Sequence, residues 1–377
     1  MSKARILVTG ATGNTGGAVV SELLEKGWPV RAIVRSRDHR AEALERKGAE
    51  IAVADLFDPE QLTHAMRGTQ RAYFLPPYHP HMIQSAASFA VAAREAKLEV
   101  IVGMSQWLAS PSHPAPLTRQ HWLADELFKS LQGIAYVSVN PGYFADNYLR
   151  LIDFAAQLGI FPNLTGASRN APPSNEDIAR VAAACLTDPA KHAGKSYRPT
   201  GPKLIDASDI AASLSRVLQR KVRAVPMPLW LFLKAARLQG VGPFDLSSLA
   251  YYVKDHKQGA FEFGAPTNDV LEVTGQPAED FEVTARRYAA LPKAQRSFTR
   301  GLRAWANFMR TPLNPGYNLG RYERDMAFPM LEKPLFAMED EHWKARRAAE
   351  VGAALPDGSQ GALYRSRTAH ALLKAHA

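Results

Sequence analysis

The stretch of sequence that decides the fold lies at the start of the chain and reads Ile6-Leu7-Val8-Thr9-Gly10-Ala11-Thr12-Gly13-Asn14-Thr15-Gly16. Its first three residues form a short apolar run, which is typical of a buried strand. Three glycines spaced three residues apart follow, and residues 16–26 then show a helical pattern of apolar residues. This order of strand, glycine-rich turn and helix predicts the first unit of a parallel α/β sheet.

The glycine-rich turn also predicts a binding site for the pyrophosphate of a dinucleotide. Its first glycine should make the tight turn, its second should keep a side chain out of the phosphate path, and its third should let the helix pack on the sheet. The amino end of the helix adds about half a positive charge. The predicted cofactor contacts in this turn are Gly10, Thr12, Gly13, Asn14, Thr15 and Gly16.

The alternation of strand and helix continues to about residue 140. Short apolar runs occur at residues 4–8, 30–34, 51–53, 72–75, 100–102 and 135–139. Helical patterns lie between them at residues 16–26, 40–47, 59–66, 82–96 and 117–131. Strands and helices in this order predict a doubly wound, Rossmann-type parallel sheet with helices on both faces.

Beyond Pro141 prolines and glycines become frequent, and the regular alternation is lost. We expect three regions: a dinucleotide-binding domain at 1–140, a smaller mixed α/β substrate lobe at 141–295 and a C-terminal arm or helical extension at 296–377. Residues 195–199 could return a strand to the sheet.

In the third region, Leu302, Trp305 and Met309 are at helical spacing, which predicts an amphipathic helix followed by an extended arm. Three alternatives stay open for this arm. It could pack on its own chain's substrate lobe, reach across to a second subunit to form a homo-oligomer, or close over the substrate cleft.

The end of the second strand favours NADPH over NAD. It reads Ile33-Val34-Arg35-Ser36-Arg37, and the nearest acid is Asp38. An NAD site carries an acid at the strand end to accept a hydrogen bond from the ribose 2′-hydroxyl. Arg35 instead offers a planar fork suited to a 2′-phosphate, and Ser36 offers a short donor. The alternative is that Arg35 is only a solvent-facing charged residue at the strand end and binds no ligand.

Composition excludes several other classes of protein. The net charge of +10 comes from basic residues scattered singly, so we expect no nucleic-acid partner. A single cysteine, Cys185, allows no internal disulfide, and His79 and His81 lack a third ligand, so we expect no metal. No apolar run reaches the length of a membrane span, and the first residues contain no export signal, so we expect a cytoplasmic protein.

Over residues 4–292 the chain resembles the NmrA-like branch of the atypical short-chain dehydrogenase/reductases. The resemblance is carried by the opening glycine motif, by Val30-Arg31-Ala32-Ile33-Val34-Arg35, by Gly103-Met104-Ser105-Gln106 and by Asn140-Pro141-Gly142-Tyr143-Phe144-Ala145-Asp146-Asn147. It implies an NADPH-dependent reductase of quinone or azo compounds. The alternative that it implies is a redox-sensing module that binds NADP(H) without turnover and acts through a protein partner.

The resemblance also implies a layout for the site. The adenine would lie near Asp55 and Leu56, and the nicotinamide would run past Leu75, Pro76 and Pro77 toward Met104 and Ser105. Tyr143, Phe144 and Asn147 would border the substrate. We further expect an aromatic cleft for a flat acceptor, although such residues often pack between lobes instead. Its candidate residues are Tyr78, Trp107, Trp122, Tyr143, Phe144 and Trp230.

One departure from the family pattern bears on the chemistry. Short-chain dehydrogenases carry Tyr-x-x-x-Lys on the helix after the fifth strand, and Thr118 and Trp122 occupy these two positions here. The loss disfavours carbonyl–alcohol chemistry and favours reduction of a quinone-like, conjugated acceptor by direct hydride transfer. Ser105 and His121 remain as candidates for proton transfer, because an unperturbed histidine titrates near neutrality. A purely structural role is the alternative for His121.

Overall fold

The computed structural model describes residues 3–351 of the chain. Its strands are β1 Ile6–Val8, β2 Val30–Val34, β3 Glu50–Val53, β4 Arg71–Phe74, β5 Val100–Met104, β6 Ala135–Val139, β7 Ile160–Asn163, β8 Ser196–Tyr197 and β9 Arg223–Pro226. Its α-helices are α1 Asn14–Glu25, α2 His39–Arg46, α3 Pro59–Met66, α4 Met82–Ala96, α5 Pro116–Lys129, α6 Ala145–Leu149, α7 Ile152–Leu158, α8 Asn175–Thr187, α9 Pro189–His192, α10 Ala207–Val217, α11 Leu229–Leu238, α12 Pro243–Lys257, α13 Asp269–Thr274, α14 Phe281–Ala289, α15 Phe298–Arg310, α16 Leu319–Asp325 and α17 Glu341–Val351.

Seven of these strands form one parallel sheet in the order β3-β2-β1-β4-β5-β6-β8. Helices cover both faces: β5 places Val102 in one apolar core with α8, and Ile101 in the other with α4 and α5. The predicted doubly wound sheet is therefore confirmed. Chain order reverses between β1 and β4, which opens a crevice at the carboxyl ends of these two strands.

The first turn depends on two glycines that approach each other closely. Gly10 has a φ of +62°, a left-handed conformation that glycine adopts without strain. A Cβ atom added at Gly16 would lie 2.3 Å from the Gly10 carbonyl oxygen, so α1 packs directly against the turn. The roles expected for the first and third glycines of the motif match this geometry.

The part of the chain that follows residue 140, which we expect to form the substrate lobe, has a core of its own. The two-stranded sheet of β7 and β9 packs with α6, α7, α10 and α14 around Ile152, Phe161, Leu214 and Phe281. The Asp206 carboxylate begins α10 by accepting hydrogen bonds from the backbone amides of residues 208 and 209. The expected returning strand, β8, pairs with β6 and ties this part of the chain back to the main sheet.

After residue 296 the chain runs over its own α12 and over the loop between β5 and α5. The Leu335 amide donates to the Ser112 carbonyl oxygen at 2.9 Å, and Tyr251 of α12 donates to Glu323 at 3.0 Å. The sequence predicted an extended arm here, whereas the chain forms two further helices, α16 and α17. The remainder of the expected arm, residues 352–377, lies outside the described residues, and exchange with a second subunit stays a prediction.

No helix within residues 3–351 is both long and apolar enough to cross a membrane.

A fully buried carboxylate joins three segments of the chain. Asp255 of α12 accepts a hydrogen bond from His113 Nε2 at 2.9 Å and another from the Ala337 amide at 3.2 Å. His113 Nδ1 accepts from the Ala115 amide, which fixes the proton of the neutral ring on Nε2. Asp255 therefore holds the loop before α5 and the chain before α17 against the substrate lobe.

We expect Asp255→Ala to destabilise the protein because it leaves two buried donors without acceptors. Each such group costs about 1–3 kcal/mol, so the free energy of unfolding should fall by roughly 2–6 kcal/mol. Denaturant unfolding measures this, with Lys257→Ala as an exposed control on the same helix. Equal stability of the two variants would contradict the role assigned to Asp255.

Candidate functional site

The glycine-rich turn presents backbone amides at the crevice between β1 and β4. Gly13 is the residue before α1, and no side chain caps that helix, so its first amides remain available to a ligand. The Thr9 hydroxyl accepts from the Leu75 amide at 2.7 Å and donates to the Leu75 carbonyl oxygen at 3.1 Å, which holds the two strand ends together. A bare helix terminus beside glycines without side chains fits a pyrophosphate. Sequence reasoning missed Thr9, although its position at a strand end is the usual signal.

Two predicted cofactor contacts in this turn already have protein partners. Asn14 Nδ2 donates to Asp146 Oδ1 of α6 at 3.0 Å, and the Thr15 hydroxyl donates to Asn175 Oδ1 of α8 at 2.6 Å. Their side chains tie the start of α1 to the substrate lobe, which leaves their backbone amides for a phosphate. Thr12 is half-buried beside them.

At the end of β2 one guanidinium is free of protein partners. Arg37 lies 3.2 Å from Glu45, and Arg40 lies 2.6 Å from Asp38, whereas Arg35 pairs with none of the described residues. Arg40 and two backbone amides at the start of α2 hold the pKa of Asp38 down at about 2. Asp38 is thus committed to capping α2, while Arg35 and Ser36 are exposed at the strand end.

The other predicted cofactor residues lie along the same edge of the sheet. Asp55 and Leu56 follow β3, Leu75 and Pro76 follow β4, and Met104 ends β5. Asp55 is exposed and accepts a hydrogen bond from the backbone amide of residue 57 at 2.9 Å. Because parallel strands end together, the structure brings these residues to one line with the glycine-rich turn.

A cluster that we call the tyrosine cleft lies beyond this edge; it consists of Tyr78, Tyr143, Tyr148, Tyr252, Gln106 and Thr118. The Tyr143 ring centroid lies 5.1 Å from that of Tyr148 and 6.4 Å from that of Tyr252. Tyr78 is 52% exposed, and the other three tyrosines are half-buried. Burial raises the pKa of Tyr143 to about 12 and holds the pKa of Tyr252 well above its usual value.

One amide donor in the tyrosine cleft has no partner. Gln106 Oε1 accepts from the Tyr252 hydroxyl at 2.6 Å and from the Thr118 hydroxyl at 3.3 Å. Its Nε2 atom is buried and bonds to no atom of the described residues. Sequence reasoning missed Gln106, Tyr148 and Tyr252. Gln106 stands in the quoted family motif and could have been found there, whereas nothing in the pattern of α12 marks Tyr252.

The remaining predicted substrate residues divide between cleft and core. Trp107 is 1% exposed, its indole donates to the Ala260 carbonyl oxygen at 2.8 Å, and two guanidinium groups lie over its ring, so it belongs to the core rather than to an open surface. Phe144 packs against the core of the main sheet, while Trp122 and Asn147 are half-buried. Trp230 is an exposed residue of α11.

The two candidate proton donors are both constrained by their surroundings. The buried Ser105 hydroxyl donates to Asp125 Oδ2 at 2.6 Å, and the Tyr136 hydroxyl donates to Asp125 Oδ1 at 2.6 Å. Burial lowers the pKa of His121 to about 4, so its ring is neutral at pH 7. Desolvation disfavours the charged ring, which opposes proton donation by His121 at neutral pH, and its role in proton transfer stays a prediction.

A family model described as NAD(P)H-binding matches residues 10–189, which include the glycine-rich turn and the carboxyl edge of the sheet. The NAD(P)H azoreductase of Xenophilus azovorans is 31% identical over 291 residues, covering 76% of this chain and 98% of that protein.

Two solved structures share the fold. The NADPH-dependent quinone oxidoreductase of Escherichia coli, complexed with NADPH, gives a TM-score of 0.66 at 24% identity over 75% of this chain and 99% of that one. The triphenylmethane reductase of a Citrobacter species, complexed with NADP(H), gives 0.65 at 23% identity over 75% and 99%. Together with the matched sequence, these findings show that the chain belongs to the NmrA-like family of atypical reductases and is an NAD(P)H-dependent oxidoreductase.

Proposed function

We propose that this oxidoreductase uses NADPH to reduce a flat, conjugated acceptor of the quinone type. When bound, NADPH supplies a hydride to such an acceptor. The residues at 10–16 would hold its pyrophosphate, Asp55 and Leu56 its adenine, and Leu75, Pro76 and Met104 its nicotinamide side. The acceptor would then stand in the tyrosine cleft.

The preference for NADPH rests on the unpaired guanidinium at the end of β2. The Arg35 guanidinium could bind a 2′-phosphate in a bidentate manner. No carboxylate among the described residues competes for it, because the nearby acids Glu45 and Asp38 are paired with Arg37 and Arg40. NAD would require an acceptor for its ribose 2′-hydroxyl, and Asp38 already caps α2.

The acceptor class rests on the unpaired Gln106 amide among aromatic rings. Nε2 of Gln106 can donate to an oxygen or nitrogen of a planar acceptor that stacks on Tyr143 and Tyr252, and this bond strengthens as negative charge develops. A buried donor left without a partner is costly, so a ligand that accepts from it is favoured.

Proton supply further favours an acceptor that needs no acid at the moment of hydride transfer. The tyrosines of the cleft have raised pKa values, His121 is neutral, and the helix position of the usual catalytic tyrosine holds Thr118. Carbonyl reduction to an alcohol requires a strong local acid, whereas a conjugated acceptor delocalises the charge that the hydride brings. Ser105 has its proton committed to Asp125 and offers only lone pairs to a ligand.

We expect Arg35→Ala to lower the affinity for NADPH much more than the affinity for NADH. A charge-assisted bond contributes about 1.5–3 kcal/mol, which is roughly a tenfold to hundredfold loss in affinity. Titration calorimetry with both nucleotides measures this, and Arg37→Ala is the matched control because its guanidinium is paired with Glu45. Equal losses of affinity for NADPH and NADH would contradict the assignment of the 2′-phosphate contact to Arg35.

We expect the purified protein to oxidise NADPH with benzoquinone and naphthoquinone acceptors and to leave saturated ketones unreduced. Gln106→Glu should lower kcat/KM for the quinones by about a hundredfold, because the variant keeps the acceptor oxygen and loses the donor. NADPH binding by the same variant should be unchanged, which separates the acceptor site from the cofactor site. Turnover of saturated ketones by the wild-type protein would contradict the proposal.

Asp125 should make stability depend on pH. Burial raises the pKa of this carboxyl to about 6, against roughly 4 in the unfolded chain. The folded protein therefore holds an extra proton between these values, and its free energy of unfolding should decline by about 2 kcal/mol as the pH rises from 4 to 6. Denaturant unfolding at pH 4 and pH 6 measures this difference, and Asp125→Asn should abolish it. If the variant showed the same difference in the free energy of unfolding as the wild type, the pH dependence would come from other groups.

A further inference from the structure

Helix α15 packs on the molecule through its small residues instead of its large apolar ones. Its half-buried residues are the small ones Gly301, Ala304 and Ala306, while all of its large apolar side chains are exposed. Phe298, Leu302, Trp305 and Met309 follow one another at helical spacing and so share one face, and each of them is at least 55% exposed. An apolar stripe of this kind normally faces the core.

The neighbouring helix α11 extends this surface through Trp230 and Leu238, which are exposed, whereas its other residues are half-buried. It reads Leu229-Trp230-Leu231-Phe232-Leu233-Lys234-Ala235-Ala236-Arg237-Leu238, and none of its residues is buried. Leu313, which lies after α15 and next to α11, is 86% exposed. We name this surface, residues 229–238 and 298–313, the apolar platform.

The charged residues in the two segments that form the apolar platform all have one sign. Residues 226–240 contain Lys234 and Arg237, and residues 291–313 contain five basic residues, Lys293, Arg296, Arg300, Arg303 and Arg310; neither segment contains an acid. Within residues 3–351 none of these seven side chains forms an ion pair. On α15, Arg300, Arg303 and Arg310 lie outside the apolar stripe, on the rest of the helix surface.

We propose that the apolar platform docks on the surface of an anionic lipid bilayer. A helix with Trp, Phe and Leu on one face and arginines on the other lies in the plane of the interface, with its rings among the acyl chains and its cations at the headgroups. Trp230 and Trp305 suit this boundary because an indole has an apolar body and a polar N–H.

The charge pattern argues against two other occupants of the apolar platform. A second copy would bring the same seven cations against themselves. Residues 352–377 contain Arg365, Arg367 and Lys374 but only one acid, Asp357, so this segment is also basic. An anionic bilayer supplies both an apolar layer and the missing negative charge.

The test is flotation of the full chain with vesicles. We expect binding to vesicles of equal parts phosphatidylcholine and phosphatidylglycerol, little binding to phosphatidylcholine alone, and weaker binding at high salt. Arg303→Glu combined with Arg310→Glu should weaken binding at least about twentyfold, because each cation near such a surface contributes about 1 kcal/mol. Arg67→Glu combined with Arg94→Glu is the matched charge control, since both residues are exposed and lie at α3 and α4, outside the apolar platform.

The apolar arm of the test uses Leu302→Ser combined with Trp305→Ser, with Leu271→Ser and Val283→Ser as exposed apolar controls. The first pair should abolish vesicle binding at an unchanged melting temperature, and the controls should bind as the wild type does. The proposal is overturned if the wild type does not bind the anionic vesicles. It is also overturned if light scattering shows a dimer that the Leu302→Ser and Trp305→Ser double variant dissociates. The third contrary outcome is binding to vesicles only after residues 352–377 have been deleted.

Discussion

Residue 16 has room for a hydrogen atom and nothing larger, and the architecture of the cofactor edge depends on that constraint. A Cβ there would meet the Gly10 carbonyl oxygen at 2.3 Å, so only glycine lets α1 begin directly on the turn after β1. The position of α1 then sets the direction of its free amides. It also brings Asn14 and Thr15 within hydrogen-bond distance of Asp146 and Asn175, which lie beyond residue 140. The phosphate turn and the substrate lobe are thereby fixed relative to each other.

The parts of the fold that were predicted correctly are those in which a local signal agrees with the global arrangement. The helix over residues 59–66 was predicted with its observed bounds because Asp58 caps it and Pro59 opens it. The sheet edge was predicted because parallel strands end together, whatever their order in the chain. Agreement of this kind between levels is what allows a sequence to be interpreted before its structure is known.

The proposed substrate side could not be predicted in the same way. Gln106 and Tyr252 are separated by 146 residues and meet only because α12 crosses the end of β5, which no periodicity reveals. Trp107 was expected in the cleft but lies in the core, where Arg198 and Arg347 lie over its ring and its indole donates to the Ala260 carbonyl oxygen. Helices α16 and α17 replace the expected extended arm, since their stability comes from contacts with distant segments rather than from a strong local pattern.

Helix α12 shows how the extension and the cleft are connected. Ser248 and Tyr252 lie one turn apart on the side that faces the cleft, while Tyr251 and Asp255 lie one turn apart on the side that the extension covers. The wall of the cleft is therefore supported from behind by residues that occur late in the chain. The hydrogen bond between Ser110 and Asp340 spans 230 residues. A ribosome that adds 5–20 residues each second needs roughly 10–50 seconds to synthesise those residues, so the loop after β5 is made that long before the segment that packs on it.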